Sequence, residues 1–437
     1  MRPLRIIGGI TNVSIRIMTP VFKRYPRITG FLRKMHGRLM ILSIAKFHGE
    51  ALRSIRAAEN IKGRFGVNIA GYITAENGVG EAARANIRAV GKAGIPFVLN
   101  DVSIRNLYNS RNGETSYRDL IREDNPYAFN LVQANAANIP GFLQEKGIGY
   151  FVNKYNIGFW YWELSNFPKE WRDSFRCLNE IWVASEFCRE AISKASPIPV
   201  VKIPPSVVVG KTKDVGRDYF GLKEGDFVFF FMFDFLSHFE RKNPLAVLRA
   251  FRAAFKPGDG ARLVLKCSNS DYNPMTRDMM FEEAKGLNVK FMDGYLDREE
   301  LNALLSLCDC YVSLHRSEGF GLPLAEAMYL GKPVIATGYS GNMDFMNARN
   351  SFPVRYDLVE IDSDRGPYKK GNIWAEPDID HAAELMRAVY EDRGMARRAG
   401  EAASADIRRD FSPEATGRKI LSRLEQIAGE RGIRIDK

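Results

Sequence analysis

No cysteine in this chain stands at the spacing of a disulfide framework or a metal finger. The five, Cys177, Cys188, Cys267, Cys308 and Cys310, lie in apolar or strand-like runs with no C-x-x-C pair among them. That pattern reads as reduced, buried thiols of a cytoplasmic protein and argues against a stapled secreted scaffold. Histidine is equally sparse: the five show no metal-ligand spacing, so no metal site is expected. Long apolar runs are missing too. The best, residues 39–45, falls far short of the ~20 residues that cross a bilayer. The first twenty residues alternate apolar and polar too often for a secretory signal. No internal repeat or low-complexity tract interrupts the chain.

Excess charge is absent from most of the sequence. Residues 1–62 carry 13 Lys/Arg against two acids, Glu50 and Glu59, for a net of +11, while the remaining 50 bases meet 50 acids. A neutral body offers no general footprint for nucleic acid. The basic segment has helical spacing from residue 26 onward. Ile28, Phe31, Leu32, Met35, Leu39 and Leu42 form one apolar stripe, with Arg33, Lys34 and Arg38 off it. Such a helix suits an anionic membrane surface, through residues 1–60, or packing on the protein itself.

What is present is alternation. The chain has 437 residues, 45% hydrophobic and 26% charged, which implies two or three soluble domains. Strands are expected at residues 67–73, 95–99, 128–133, 157–162, 181–184 and 200–203, with a helix at 79–92 and a polar insert at 103–125. The Pro/Gly/Lys-containing break at residues 204–217 is the best domain boundary. A second series follows, with strands at 227–233, 263–267, 289–292, 311–314 and 334–336 and a helix at 243–255. Three helical segments close the chain. The last begins at Ser412-Pro413 and is expected to end at Gly429. Strands alternating with helices predict mostly parallel sheets covered on both faces.

The densest chemistry lies at residues 317–328, Ser-Glu-Gly-Phe-Gly-Leu-Pro-Leu-Ala-Glu-Ala-Met. A strand precedes it, and Pro323 marks a helix start. Glu318 therefore sits in the strand-to-helix loop and Glu326 about one turn inside the helix. The amides of Phe320, Gly321 and Leu322 point out of the helix N-terminus, a ready phosphate site. A phosphate site flanked by two carboxylates suits a nucleotide sugar.

This stretch, followed by Gly331-Lys332-Pro333-Val334-Ile335-Ala336-Thr337, resembles the E-x7-E signature of retaining GT-B glycosyltransferases of family 4. The resemblance covers roughly residues 66–429 and is strongest in the second half. It implies an α/β fold of two doubly wound Rossmann-like domains facing across a cleft, here with a basic helical N-terminal extension at residues 1–62. The acceptor domain would span residues 63–205 and the donor domain 206–410. A last helix, 411–437, would cross back to the first domain. It implies that Glu326 holds the donor ribose and that Glu318 contacts the donor sugar. The activity implied is metal-independent transfer of a hexose from a nucleoside-diphosphate sugar to a glycan or lipid-linked acceptor, without a cofactor. Subgroup resemblance, through Trp374-Ala375-Glu376-Pro377 read as a loop before a helix, points to polysaccharide or lipopolysaccharide assembly and to GDP-mannose.

Further candidates follow. Arg241 and Lys242 lie between a buried strand and a helix, where two cations can neutralise a diphosphate. Cations at a helix start oppose its dipole, which favours a functional reason for them. The family commonly places an Arg five residues before the Lys; that position here is Ser237, so Arg241 would have to take the role. Lys266, at a strand end, faces either the ligand crevice or solvent. Gly294-Tyr295-Leu296 looks like the family's nucleobase-contacting turn, with Tyr295 as the stacking ring. Glu163, after the aromatic run 159–162, and His315 are candidate acceptor contacts. The string Asp362-Ser363-Asp364 reads as a solvated loop. Finally, Gly78-Val79-Gly80-Glu81-Ala82-Ala83 with Asp101 fits a dinucleotide fingerprint on paper, but residues 74–77 separate the first glycine from its strand. Gly78 and Gly80 are better read as a loop facing phosphate and acceptor. Two rivals stay open: an oxidoreductase using the Gly78 loop, and a catalytically silent sugar-binding protein.

Overall fold

The computed structural model describes residues 49–58, 60–102 and 116–435. The apolar stripe of the basic segment and residues 103–115 of the polar insert lie outside them. What is described of those two regions includes a helix, Gly49–Ala57, and a short turn of 3-10 helix, Arg118–Leu120. No described helix is long and apolar enough to cross a membrane.

The first sheet holds β1 (Arg64–Gly71), β2 (Phe97–Asp101), β3 (Tyr127–Gln133), β4 (Tyr155–Trp160), β5 (Glu180–Val183) and β6 (Val200–Lys202). Their order is β2-β1-β3-β4-β5-β6, and all pairings are parallel. β3 and β4 are buried along their whole length, as expected of parallel strands covered on both faces. A polar ladder runs through this apolar layer. Asn68 donates to Asn130 at 2.9 Å, and Asn130 donates to Asn156 at 2.8 Å. Each amide satisfies its neighbour, which is the condition for burying it.

The second sheet holds β7 (Phe227–Asp234), β8 (Ala261–Ser268), β9 (Val289–Asp293), β10 (Cys310–Ser313), β11 (Val334–Thr337) and β12 (Phe352–Val354). It is parallel throughout, in the order β12-β11-β10-β7-β8-β9. Chain order therefore reverses between β7 and β10, and the loops leaving their carboxyl ends part to open a crevice there. The first sheet has the same reversal between β1 and β3.

A third, two-stranded antiparallel ribbon joins β13 (Tyr356–Glu360) and β14 (Ile373–Pro377). Residues 374–377 are thus a strand, not the loop the sequence suggested. Trp374 pairs with Val359 across the ribbon and buries its ring, so burial of a large aromatic overrides the polar, proline-containing context.

The last helix, Pro413–Arg431, is capped by Ser412, whose hydroxyl accepts from the Ala415 amide at 3.1 Å. It runs through Gly429 and stops at Gly432, whose φ of +66° supplies the left-handed turn; Gly429, with no positive φ, continues the helix. This helix lies on the first domain's helix Gly78–Lys92. A methyl group at Gly417 would come within 2.5 Å of the Ala89 carbonyl oxygen. Arg423 also binds the fully buried Glu180 of β5. The chain crosses between the domains at residues 204–210 and again near Phe411. The crossings touch: the Val207 amide donates to the Phe411 carbonyl at 2.7 Å.

Candidate functional site

The crevice of the second sheet collects the residues after β7 and β10. After β7 the chain makes one turn of helix, Phe239–Lys242, between two residues in left-handed conformation, His238 (φ +63°) and Asn243 (φ +55°). These turns bring Arg241 and Lys242 to the crevice. After β10 the chain runs through His315 to Glu318. Lys242 Nζ lies 2.5 Å and Arg241 Nη1 3.2 Å from the same carboxylate oxygen of Glu318. Arg241 also donates to the Ser317 carbonyl at 2.9 Å and to the Ser237 carbonyl at 3.2 Å. Ser237 thus contributes only its carbonyl, and the guanidinium near the lysine belongs to Arg241. Its Nε is buried with no partner among the described residues.

The electrostatics follow from this packing. Burial alone would raise the Glu318 carboxyl, but Lys242 and Arg241 more than reverse it and hold it down at about 2. Burial lowers the Lys242 ammonium, although Glu318 opposes the shift. The sign for stability is then fixed. A depressed carboxyl contributes fully above its ordinary value of 4.5, and the contribution fades as pH falls through about 2. The stability difference between wild type and Glu318→Gln is expected to shrink by about 3 kcal/mol between pH ~5 and pH ~2. Urea denaturation across that window checks it. A difference independent of pH would contradict the pairing.

The turn from Glu318 to the helix Leu322–Tyr329 is shaped by glycines. Gly321 has φ +92° and caps the helix without a side chain. Gly341 lies so close to the Gly319 carbonyl oxygen that an added methyl would sit 2.3 Å from it, and its amide donates to the Glu318 carbonyl at 2.9 Å. The amides of Phe320, Gly321 and Leu322 find no acceptor among the described residues and lie at the positive end of the helix dipole. Glu326 is buried one turn further on. Arg298, at the start of helix Arg298–Leu307, covers its carboxylate. Burial raises this carboxyl despite the guanidinium.

The remaining candidates divide. Lys266 is buried and binds the carbonyls of Cys267, at 2.9 Å, and Gly294. Two of its protons therefore brace the turn that presents Tyr295, which is 41% exposed and donates to Asn269 at 2.8 Å. His315 is fully buried, with ring nitrogens 3.0 Å from Ser313 Oγ and 3.0 Å from Asn342 Oδ1. Both nitrogens are occupied, so it supports the loop beneath Glu318 rather than reaching an acceptor. Glu163 does reach the second domain: its carboxylate accepts from Tyr368 at 3.1 Å, and its carbonyl accepts from Ser317.

At the reversal in the first sheet, Gly78 is open, with nothing within 4 Å of an added methyl, whereas one at Gly80 would lie 2.2 Å from the Ala75 carbonyl. Gly80 therefore serves the turn's own packing rather than a ligand. Asp101 accepts from the Ile73 amide at 2.8 Å, the Thr74 amide at 3.2 Å and the Thr74 hydroxyl at 2.9 Å. A carboxylate so engaged does not suit the ribose role that a dinucleotide fingerprint needs. Asp362 and Asp364 are exposed and paired with Arg365 and Lys369. No described cluster of three or more His, Cys, Asp or Glu could hold a metal ion.

Sequence reasoning missed three contributors. Arg298 carried no motif. Arg316 holds Glu376 through two contacts of 2.6 and 2.9 Å and donates to the Glu240 carbonyl at 2.6 Å, fixing the approach to Glu318. Tyr368 lay in a segment that read as loop. The only legible hint was the tryptophan-containing string at residues 374–377, whose Glu376 anchors Arg316.

Comparison with known proteins places this geometry. Residues 217–406 match the family model for glycosyl transferases group 1. The human alpha-1,3/1,6-mannosyltransferase ALG2 is 26% identical over 147 residues, 34% of this chain and 30% of that protein. The match thus spans under a third of that relative's length. Among solved structures, Anabaena Alr3699/HepE in complex with UDP-glucose aligns with a TM-score of 0.58 at 14% identity, over 83% of this chain and 100% of that one. The sucrose-phosphate synthase of Thermosynechococcus elongatus aligns with a TM-score of 0.59 at 14% identity, over 84% and 100%. Two parallel-sheet, Rossmann-like domains facing each other in this way are the GT-B fold of glycosyltransferases.

Proposed function

We propose that this GT-B chain, with its glycosyl transferases group 1 match, moves a hexose from a nucleoside-diphosphate sugar to a glycan or lipid-linked glycan with retention at the anomeric carbon. One observation carries the reading. Lys242, Arg241 and Glu318 converge in the crevice of the second sheet, beside three backbone amides without acceptors among the described residues. UDP-glucose bound to the similarly folded Anabaena protein supports a nucleotide sugar as donor. The ALG2 similarity supports mannose, with GDP-mannose the first donor to try.

In this reading, negative charge grows on the leaving diphosphate as the sugar acquires oxocarbenium character. Lys242, Arg241 and the amides of Phe320, Gly321 and Leu322 stabilise the first as preorganised donors. Glu318 orients the sugar through its hydroxyls. Glu326 takes the ribose hydroxyls after Arg298 yields. The departing phosphate oxygen accepts the acceptor's proton. Protein cations supply the positive charge, so no metal and no cofactor are proposed. A panel of UDP- and GDP-sugars, read by mass spectrometry with and without chelator, tests the reading. No turned-over donor would reject it, and loss in chelator with rescue by Mn²⁺ would reject the metal-free part.

The phosphate role has its own test. Lys242→Ala is expected to weaken binding of the nucleoside diphosphate about tenfold or more, while the free nucleoside binds as before. Calorimetry with both ligands checks it. Equal losses would mean that Lys242 acts through folding.

The basic segment is proposed to bring the enzyme to an anionic membrane surface on the cytoplasmic side, where lipid-linked acceptors reside. Residues 1–60 deleted, the protein should no longer sediment with anionic vesicles. Continued sedimentation, or unfolding, would favour packing on the protein instead.

A further inference from the structure

The β13–β14 ribbon belongs to neither large sheet, yet its tip touches both domains. Tyr368 is 2% exposed. Its ring lies 5.7 Å from Trp162 of the first domain and 4.9 Å from His238 of the loop after β7. Its hydroxyl donates to Glu163 at 3.1 Å. Gly366, with φ +60°, presses on the same histidine so closely that a methyl would sit 2.4 Å from the ring. Arg365 pins the tip to Glu240 at 3.2 Å. At the base, the Ala375 amide donates to the Arg316 carbonyl at 3.0 Å, two residues before Glu318. One ribbon therefore holds the loop carrying Arg241 and Lys242, the loop carrying Glu318, and the first domain's Glu163.

Glu163 projects from beyond the carboxyl end of β4, toward the two cations. Its charge is felt by both Arg241 and Lys242. A diphosphate neutralising those cations would lie beside Glu163, so a hydroxyl held by this carboxylate would sit on the leaving group's face of the sugar, as retention requires.

We infer that Tyr368 is a positioning residue for transfer: its hydroxyl holds the Glu163 carboxylate where the attacking hydroxyl enters from the first domain. The inference rests on the glycosyltransferase reading above. Glu163 accepts a hydrogen bond from the incoming hydroxyl and orients it. The bond from that oxygen to the anomeric carbon forms as the bond to the diphosphate oxygen breaks. The proton leaves with the diphosphate, so Glu163 is unchanged at the end.

The test uses the full chain, UDP-glucose and GDP-mannose as donors, and water as the acceptor, with release of nucleoside diphosphate as the signal. Tyr368→Phe keeps the ring contacts and removes one hydroxyl. It is expected to cut turnover about tenfold or more, as misorientation of a reactant does, while Kd for UDP or GDP stays within about threefold of wild type. Glu163→Gln should give the same split, and the double variant should be no slower than the slower single. Parallel losses in Kd and turnover, additive losses, or full turnover in Tyr368→Phe would each overturn the inference. Should Tyr368→Phe fail to fold, Glu163→Gln with wild-type turnover would overturn it alone. Wild-type protein that binds neither UDP nor GDP would instead remove the glycosyltransferase reading.

Discussion

Replacing Glu318 by alanine is expected to lower donor turnover by about 10²- to 10³-fold, the scale at which removal of one preorganised transition-state contact is felt. The same change should leave nucleotide affinity intact or improve it. Glu318 pairs with Lys242 and Arg241, so a diphosphate bound as proposed would have to compete with this carboxylate for both cations. Without it the cations are free, while the sugar loses the group proposed to orient it. Kinetics thus worsen as binding holds or tightens, a split that general destabilisation does not produce. Steady-state turnover and calorimetry on one preparation provide the check. Turnover within about threefold of wild type would remove Glu318 from the reaction. A matching loss of nucleotide affinity would make it a structural anchor.

The second large effect lies far from the crevice. Glu180 is fully buried, and Arg423 of the last helix is its charged partner, through one contact of 2.9 Å and a second, shorter one. Trp182 Nε1, at 2.7 Å, and the Tyr155 hydroxyl, at 3.3 Å, add neutral donors. Arg423→Ala leaves a carboxylate in an apolar layer with neutral donors only. The expected cost is about 3–5 kcal/mol, the usual penalty for orphaning one member of a buried pair. Adding Glu180→Gln should return part of it, because the residue left behind no longer carries charge. Urea unfolding of the two single variants and the double variant measures this. A double variant no more stable than Arg423→Ala would mean that the helix is held by its apolar face alone.

Much of the architecture was legible because it rests on local patterns. The apolar run at residues 227–233 could only be a strand buried on both faces, and Ser412-Pro413 marked a helix start. Glu318, Glu326, Arg241 and Lys242 could be named as candidates because their spacing ties them to one strand-to-helix turn each. Two site errors concern residue types that serve ligands or folds equally well: the Ala75 carbonyl, nearby in sequence, decides Gly80, and a distant neighbour decides His315. Setting the fingerprint aside at Asp101 agrees with the structure. Asp101 is taken by amides 27 and 28 residues away, and His315 by Asn342, 27 residues on. Tyr368 pairs across 205 residues, a separation at which no periodicity speaks. Gly429 misled for the opposite reason: the left-handed turn that ends the helix comes three residues later, at Gly432.

The two crossings between the domains have a mechanical meaning. Because Val207 and Phe411 are hydrogen-bonded to each other, the halves hang on adjacent pins, like a door on one jamb. Swinging about that line keeps this bond but must break the contacts of Glu163 with Tyr368 and Ser317, whereas twisting across it breaks this bond as well. Phe411 also packs against Phe320, with ring centres 5.9 Å apart, which sets the turn at residues 320–322 almost on the jamb. There a swing produces little displacement. Opening about that line would leave the turn at residues 320–322, proposed above to cradle a diphosphate, nearly still.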